Sequence, residues 1–155
     1  MELIFWRHAQ AHKLSPGGLT ASADLARTLT PRGKKQADRM GRWLDRQLPG
    51  NTRIWVSPAR RCEQTALALG RKFEMSEALA PDASYAQLLA LVQWPESKVP
   101  ILVVGHQPTL GQTIAQLLGL TQDECAVQKG ALWWLKTSDC DISSWPVVVA
   151  RAAVS

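Results

Sequence analysis

Apolar and polar residues alternate along this chain in blocks that change period from one element to the next. Glu2–Arg7 carries an unbroken apolar run, Leu3-Ile4-Phe5-Trp6, the pattern of a strand buried on both faces. Residues 9–29 lose that pattern, contain Pro16, Gly17 and Gly18, and read as a long loop; loops of that length in a compact domain are usually functional. Thr30 then has the character of an N-cap and Pro31 that of a first helical residue. From there to about Leu48, Ala37, Met40, Leu44 and Leu48 recur at helical spacing as the buried stripe. Arg32, Lys35, Arg39, Arg42 and Arg46 occupy the other faces, and Pro49-Gly50 ends the helix.

The pattern then repeats. A second strand is expected over Thr52–Val56 and a helix from Pro58 to about Lys72. Ser84-x-x-Gln87 forms a capping box that opens a helix through Trp94. A third buried strand spans Val99–Gly105. The helix after it runs from Pro108 to about Leu118, with Leu110, Ile114, Leu117 and Leu118 facing inward. Ala131–Lys136 and Trp145–Arg151 read as two strands joined by a polar loop. Strands alternating with helices predict an α/β fold of three layers: a mostly parallel central sheet, helices on both faces, and an antiparallel hairpin at the C-terminal end. The 155 residues suit a single domain, 1–155, which buries roughly 70% of its unfolded surface and needs neither metal nor disulfide to fold. Trp133 and Trp134 should point to opposite faces of their strand, as core.

Composition narrows the class. At 46% hydrophobic and 20% charged, the chain is an ordinary globular one, and no apolar run approaches the length of a spanning helix. Met1–Trp6 is too short for a signal peptide, so a cytoplasmic location is expected. Cys62, Cys125 and Cys140 form no C-x-x-C pair and are expected as free thiols. The net charge of +5 is uneven: residues 27–72 carry twelve Lys/Arg against Asp38, Asp45 and Glu63. A basic half suits an anionic partner, whether phosphate, nucleic acid or an acidic protein surface, or reflects a solvated Arg-rich helix face.

In α/β sheets, ligands bind beyond the carboxyl ends of the parallel strands. After the first strand come Arg7-His8, after the second Ser57-Pro58-Ala59-Arg60-Arg61, and after the third His106. Two of three histidines and several arginines therefore converge on one edge. Guanidinium forks match phosphate oxygens, and a neutral imidazole can attack phosphorus. Competing chemistries fail on spacing. No cysteine begins a Cys-x5-Arg loop and there is no Walker A sequence, while Asp139-x-Asp141 lies too near the end for an aspartyl phosphatase and reads as hairpin loop.

Four blocks in order carry a resemblance. Arg7-His8-Ala9-Gln10, Asp24-x-x-Arg27-x-Leu29-Thr30-x-x-Gly33, Ser57-Pro58-x-x-Arg61-x-x-Gln64-Thr65-Ala66 and Val104-Gly105-His106-Gln107-Pro108 resemble the motifs of the histidine phosphatase superfamily, the phosphoglycerate-mutase-like fold. The short length is similar to that of its SixA-type phosphohistidine phosphatases. The resemblance implies His8 as nucleophile, Arg7 and Arg61 as phosphate clamps, and His106 as the second pocket histidine, expected protonated. Gln10 and Ser57 are expected to contact substrate. Arg60 should be a surface residue, and His12 matches no motif. The implied activity is hydrolysis of a histidine-phosphorylated protein through phospho-His8, without metal or organic cofactor, membrane or nucleic acid.

Position 9 holds Ala where the family usually has Gly, and position 10 holds Gln where an acid is usual. Either the backbone at 9 needs a positive φ, costing Ala on the order of 1 kcal/mol, or the methyl narrows the pocket floor. No carboxylate among Glu74, Glu77, Asp82 and Glu96 matches the family's general acid. That favours a phosphoramidate over an alkyl ester. The alternatives are a broad phosphomonoesterase using Glu77 or Asp82, and a non-catalytic phosphate- or nucleic-acid-binding domain. A protein partner is expected to approach along the basic helix.

Overall fold

The structure, a computed structural model, describes residues 1–137 and 146–153. β1 (Glu2–Arg7), β2 (Arg53–Val56), β3 (Glu74–Met75), β4 (Ile101–Gly105), β5 (Leu132–Lys136) and β6 (Val147–Ala152) form one sheet in the order β3-β2-β4-β1-β5-β6. The β3–β2, β2–β4 and β4–β1 pairs are parallel, whereas β1–β5 and β5–β6 are antiparallel. This is the expected three-layer α/β architecture with its C-terminal hairpin. The connection between β5 and β6, with Asp139, Asp141 and Cys140, lies outside the described residues, as does Trp145.

Strand alternation divides the core in two. Leu3, Phe5, Val103 and Leu135 face α4 (Tyr85–Leu91) and α5 (Thr109–Leu118), meeting Leu88, Leu110 and Ile114. Ile4, Trp6, Ile54, Val56, Leu102 and Val104 face α2 (Pro31–Gln47) and α3 (Arg60–Leu67), meeting Met40, Leu44, Cys62 and Ala66. Trp133 packs on the first side and Trp134 on the second, as the alternation requires.

α2 begins where its caps indicate, with the Thr30 hydroxyl accepting from the Gly33 N–H at 3.0 Å. Gly33 permits a close approach: a Cβ there would stand 1.9 Å from the Gln10 carbonyl oxygen. The Ser84–Gln87 capping box opens α4, which ends at Leu91, before Trp94, because Gln93 turns into the left-handed region. α3 is shorter than its pattern suggests. Ala59 keeps extended backbone at its start, and Gly70 at φ +76° ends the turn that comes after it. The segment 9–29 is not a plain loop. It contains a 3-10 turn, Pro16–Gly18, a short helix α1 (Ala21–Leu25) capped by Thr20, and an antiparallel bridge from Ala11 to Leu29. Cys62 and Cys125 are buried free thiols. No helix among the described residues is long and apolar enough to cross a membrane.

Candidate active site

β1, β2 and β4 are adjacent and parallel, so their carboxyl ends open on one edge. His8 continues β1: its N–H donates to the Gly105 carbonyl, while Ser57 N–H donates to that of Val104. This register brings the rings of His8 and His106 to 5.2 Å between centroids. Both are buried, at 5% and 4% exposure.

Hydrogen bonds fix the two tautomers. His8 Nδ1 lies 2.8 Å from the Ala9 carbonyl oxygen, which can only accept, so Nδ1 carries the proton and Nε2 the lone pair. Arg61 Nη2 lies 3.3 Å from His106 Nδ1, and Arg can only donate. His106 Nδ1 is therefore unprotonated, and its Nε2–H donates to Ser57 Oγ at 2.7 Å.

Electrostatics agree. Burial, with the charges of Arg61, Arg7 and Arg27, lowers the His8 pKa to about 3 despite the Ala9 hydrogen bond. Burial, then His8 and the same arginines, lowers that of His106 to about 2. His106 is thus neutral, not the expected imidazolium, because burial disfavours its charged form and the neighbouring arginines add to that. A histidine held neutral when folded but titrating near 6.5 when unfolded makes stability fall with pH from 6.5 toward 3. At pH 5 each ring should cost about 2 kcal/mol. Thermal unfolding should therefore show a marked loss of stability between pH 7 and pH 5, and His8→Asn should remove about half of the histidine contribution.

The arginines enter from three segments. Arg61, at 4% exposure, sends Nη1 to the Asp24 carbonyl at 2.7 Å and Nη2 to Asp24 Oδ2 at 3.2 Å. Arg7 Nη1 donates to the Val127 carbonyl at 2.9 Å. The Nε–H groups of both are buried without a protein acceptor. Buried donors are nearly always satisfied, so two orphaned guanidinium N–H groups beside the histidine pair call for an oxyanion. Arg60 turns outward instead and pairs with Glu63 on the surface, with 46% of its side chain exposed.

Four motif residues have structural roles. Thr65 accepts from the Ala9 N–H and donates to the Arg61 carbonyl, tying nucleophile loop to clamp helix, while Gln64 Oε1 accepts from the Leu29 N–H. Ser57 is fully buried, accepting from the Ala59 N–H as well as from His106. Both contacts lie within the protein, and through them it positions His106. Gln10 Oε1 is taken by the Thr30 hydroxyl at 2.8 Å, and the Gln10 N–H by Gln36, so Gln10 joins the nucleophile loop to α2. Only its amide NH2 remains to offer a substrate, short of the contact expected from its position. Ala9 is buried and has no positive φ; among the described residues Gln93 alone of the non-glycines does. The methyl therefore sits without backbone strain, packed in a small apolar cluster with Ala11, Leu29 and Ala37.

Asp24 and Arg27 belong to a motif block, yet their positions in the sequence suggest no task for them. Asp24 bridges Arg27 and the clamp Arg61, with Oδ1 accepting from Arg27 at 3.1 Å and Oδ2 from Arg61. Burial would raise the Asp24 carboxyl, but Arg27 and Arg61 together outweigh it and hold the group below its ordinary value. Arg27 Nε also donates to the carbonyl of the exposed His12, at 2.7 Å. The spacing of Asp24 and Arg27 gives no hint of this convergence. Glu77, in a 3-10 turn (Glu77–Leu79), and Asp82 are exposed, and neither is bonded to a site residue. Beside Arg7, a cleft of about 650 Å³ is lined by Gln107, Pro108, Glu124, Cys125 and Val127 among others. Gly111 lets that wall close in, since a Cβ there would stand 2.0 Å from the Cys125 carbonyl oxygen. Among the described residues no three His, Cys, Asp or Glu side chains cluster as metal ligands would.

Comparison with known proteins places this geometry. A phosphohistidine phosphatase SixA homolog of Haemophilus influenzae is 31% identical over 137 residues, covering 77% of this chain and 78% of its own. Phosphohistidine phosphatase SixA of Escherichia coli is 30% identical over 125 residues, covering 76% and 74%. The solved structure of the protein histidine phosphatase SixA complexed with tungstate superimposes with a TM-score of 0.79 at 25% identity, over 99% of this chain and 97% of that one. An Entamoeba histolytica phosphoserine phosphatase shares the fold at 16% identity and a TM-score of 0.72, over 99% and 97%. Residues 3–82, which hold three of the four motif blocks, match the family model of the histidine phosphatase superfamily (branch 1). The chain belongs to that superfamily.

Proposed function

We propose that this protein is a phosphohistidine phosphatase that hydrolyses phosphohistidine on a protein substrate through a phospho-His8 intermediate. The observation that carries this reading is the lone pair of His8 Nε2, exposed by the Nδ1–H bond to Ala9, in a site where Arg7 and Arg61 keep buried, unpaired Nε–H groups. The identities to SixA proteins over most of the chain support the same substrate class.

His8 Nε2 attacks phosphorus in line with the leaving nitrogen, forming one N–P bond as the other breaks. Arg7 and Arg61 hold the phosphoryl oxygens and stabilise the charge that spreads over them in the transition state. His106 stays neutral, its Nδ1 accepting from Arg61 and so helping to hold that clamp in place. Ser57 keeps its ring in place throughout. Water then cleaves phospho-His8.

The leaving group decides the substrate class. Asp24 is held ionised by two arginines, so it donates no proton. An imidazole with an ordinary pKa near 6.5 leaves once protonated from solvent, whereas an alkoxide needs an acid worth ~10² to 10⁴ in rate. A histidine-phosphorylated protein should therefore show a higher kcat/KM than any alkyl phosphate.

A second reading, a phosphomonoesterase, rests on Glu124, the carboxylate that lines the cleft with Arg7. Kinetics of Glu124→Gln on both substrate types separate the two. Under the first reading the phosphohistidine rate is unchanged. Faster turnover of an alkyl phosphate, lost in Glu124→Gln, would establish the second.

A further inference from the structure

The site is ringed by more positive charge than one phosphoryl group requires. Arg7 and Arg61 lie at its base. Above them, the bridge from Ala11 to Leu29 and the bond from His12 N–H to the Thr28 carbonyl hold residues 11–13 against 27–29. That pairing puts Lys13 beside Arg27, whose guanidinium is anchored on His12 and Asp24. On another side, the Gly130 N–H is shared by the Arg7 and His8 carbonyls, and its own carbonyl accepts from Trp6 Nε1. Lys129 is thus fixed one residue from the atoms that bind the nucleophile's backbone.

Lys13 and Lys129 are both exposed, and among the described residues neither forms an ion pair. Burial and then Arg7, Lys13 and Arg27 lower the Lys129 ammonium, which places those three cations within electrostatic reach of Lys129. Five cations face two carboxylates, Asp24 and Glu124, and Asp24 is already shared by two arginines. A phosphoryl dianion leaves the ring positive, and the surplus sits on the two exposed lysines.

We propose that Lys13 and Lys129 form a docking rim for acidic side chains flanking the phosphohistidine of the substrate protein. The proposal rests on the phosphohistidine reading and relocates the charge that selects the partner. α2 has the larger number of basic residues, but only its first two turns, as far as Gln36 and Ala37, adjoin the site, at Ala9 and Gln10. At 1.5 Å per residue its seventeen residues span about 25 Å, so Arg39, Arg42 and Arg46 stand progressively farther away. The rim lysines flank residues bonded to Arg27 and to the nucleophile's backbone, and the far part of the helix does not.

The test uses a histidine-phosphorylated phosphotransfer protein with acidic residues within one helical turn of its histidine, beside free phosphohistidine as the small substrate. Lys13→Glu/Lys129→Glu should lower kcat/KM for the protein roughly 10- to 100-fold and flatten its salt dependence. The same variant should change the rate on free phosphohistidine less than about threefold. Replacing the partner's acidic residues by lysine should restore activity to the reversed rim. Arg39→Glu/Arg42→Glu should leave both substrates within about a factor of two.

Equal losses on both substrates would overturn the docking role, as would no loss on the protein or a larger loss from the α2 variant. Stronger inhibition by a single-stranded oligonucleotide than by poly-glutamate, relieved in the rim variant, would assign the rim to nucleic acid instead. A wild-type enzyme that cleaves free phosphohistidine or a phosphate ester but no phosphohistidine protein removes the underlying reading, and the rim with it.

Discussion

His8→Ala should lower turnover by on the order of 10⁴ or more and abolish the phosphoenzyme. Among the described residues no other group at this site offers the same lone pair. His106 directs Nδ1 at Arg61 and Nε2–H at Ser57, and the Cys62 thiol is buried, with its pKa pushed up to about 12 by burial despite Arg61. The trapped intermediate of the wild-type protein should be acid-labile and base-stable, as an N–P bond is. The fold should survive, because the strand bonds of His8 are made by its backbone. Circular dichroism checks this beside the kinetics. A His8→Ala protein with the wild-type rate would sink the mechanism.

The second large effect separates two adjacent arginines. Arg61→Ala should cost about 10²- to 10³-fold in kcat/KM, the usual loss on removing a transition-state donor. It also removes one of the charges that hold His8 and His106 neutral and frees Asp24 from one partner. Tungstate or inorganic phosphate should then inhibit less well, and Arg61→Lys should rescue only part of the rate, since an ammonium cannot reproduce the guanidinium fork. Arg60→Ala should cost under about 1 kcal/mol, because it breaks an exposed pair with Glu63. Greater damage from Arg60→Ala would show that the clamp is the neighbouring residue.

Much of this site is legible in the chain because each part has a local signature. Buried strands announce themselves as apolar runs, and the residues just past the carboxyl end of a parallel strand face the ligand edge. Arg7, His8 and His106 can therefore be placed from position alone. The Thr30–Pro31 start of α2 and the Ser84–Gln87 box are written in residues three apart or fewer. Arg61 is separable from Arg60 because the family motif it resembles places the clamp four residues after Ser57, and neighbours on a helix diverge by about 100°, so only one can face the pocket.

The features that the sequence does not reveal depend on segments distant in the chain. β3, only Glu74–Met75, has no apolar pattern and is a strand because β2 offers an open parallel edge. The tasks of Asp24 and of the Gly130 backbone exist because the sheet order brings residues 24, 61, 7 and 130 together, and periodicity encodes no sheet order. Ser57 reads as a substrate contact from its motif position, and its bond to His106 shows only in the fold. Protonation is the least legible property. A histidine beside arginines reads as neutral or charged only once its burial and distances are known. Sequence by itself determined which side chains could do phosphoryl chemistry and at which edge. The tertiary structure decided which nitrogen of each histidine holds the proton, because that choice belongs to the Ala9 carbonyl, to Arg61 and to Ser57, groups that only folding sets against the rings.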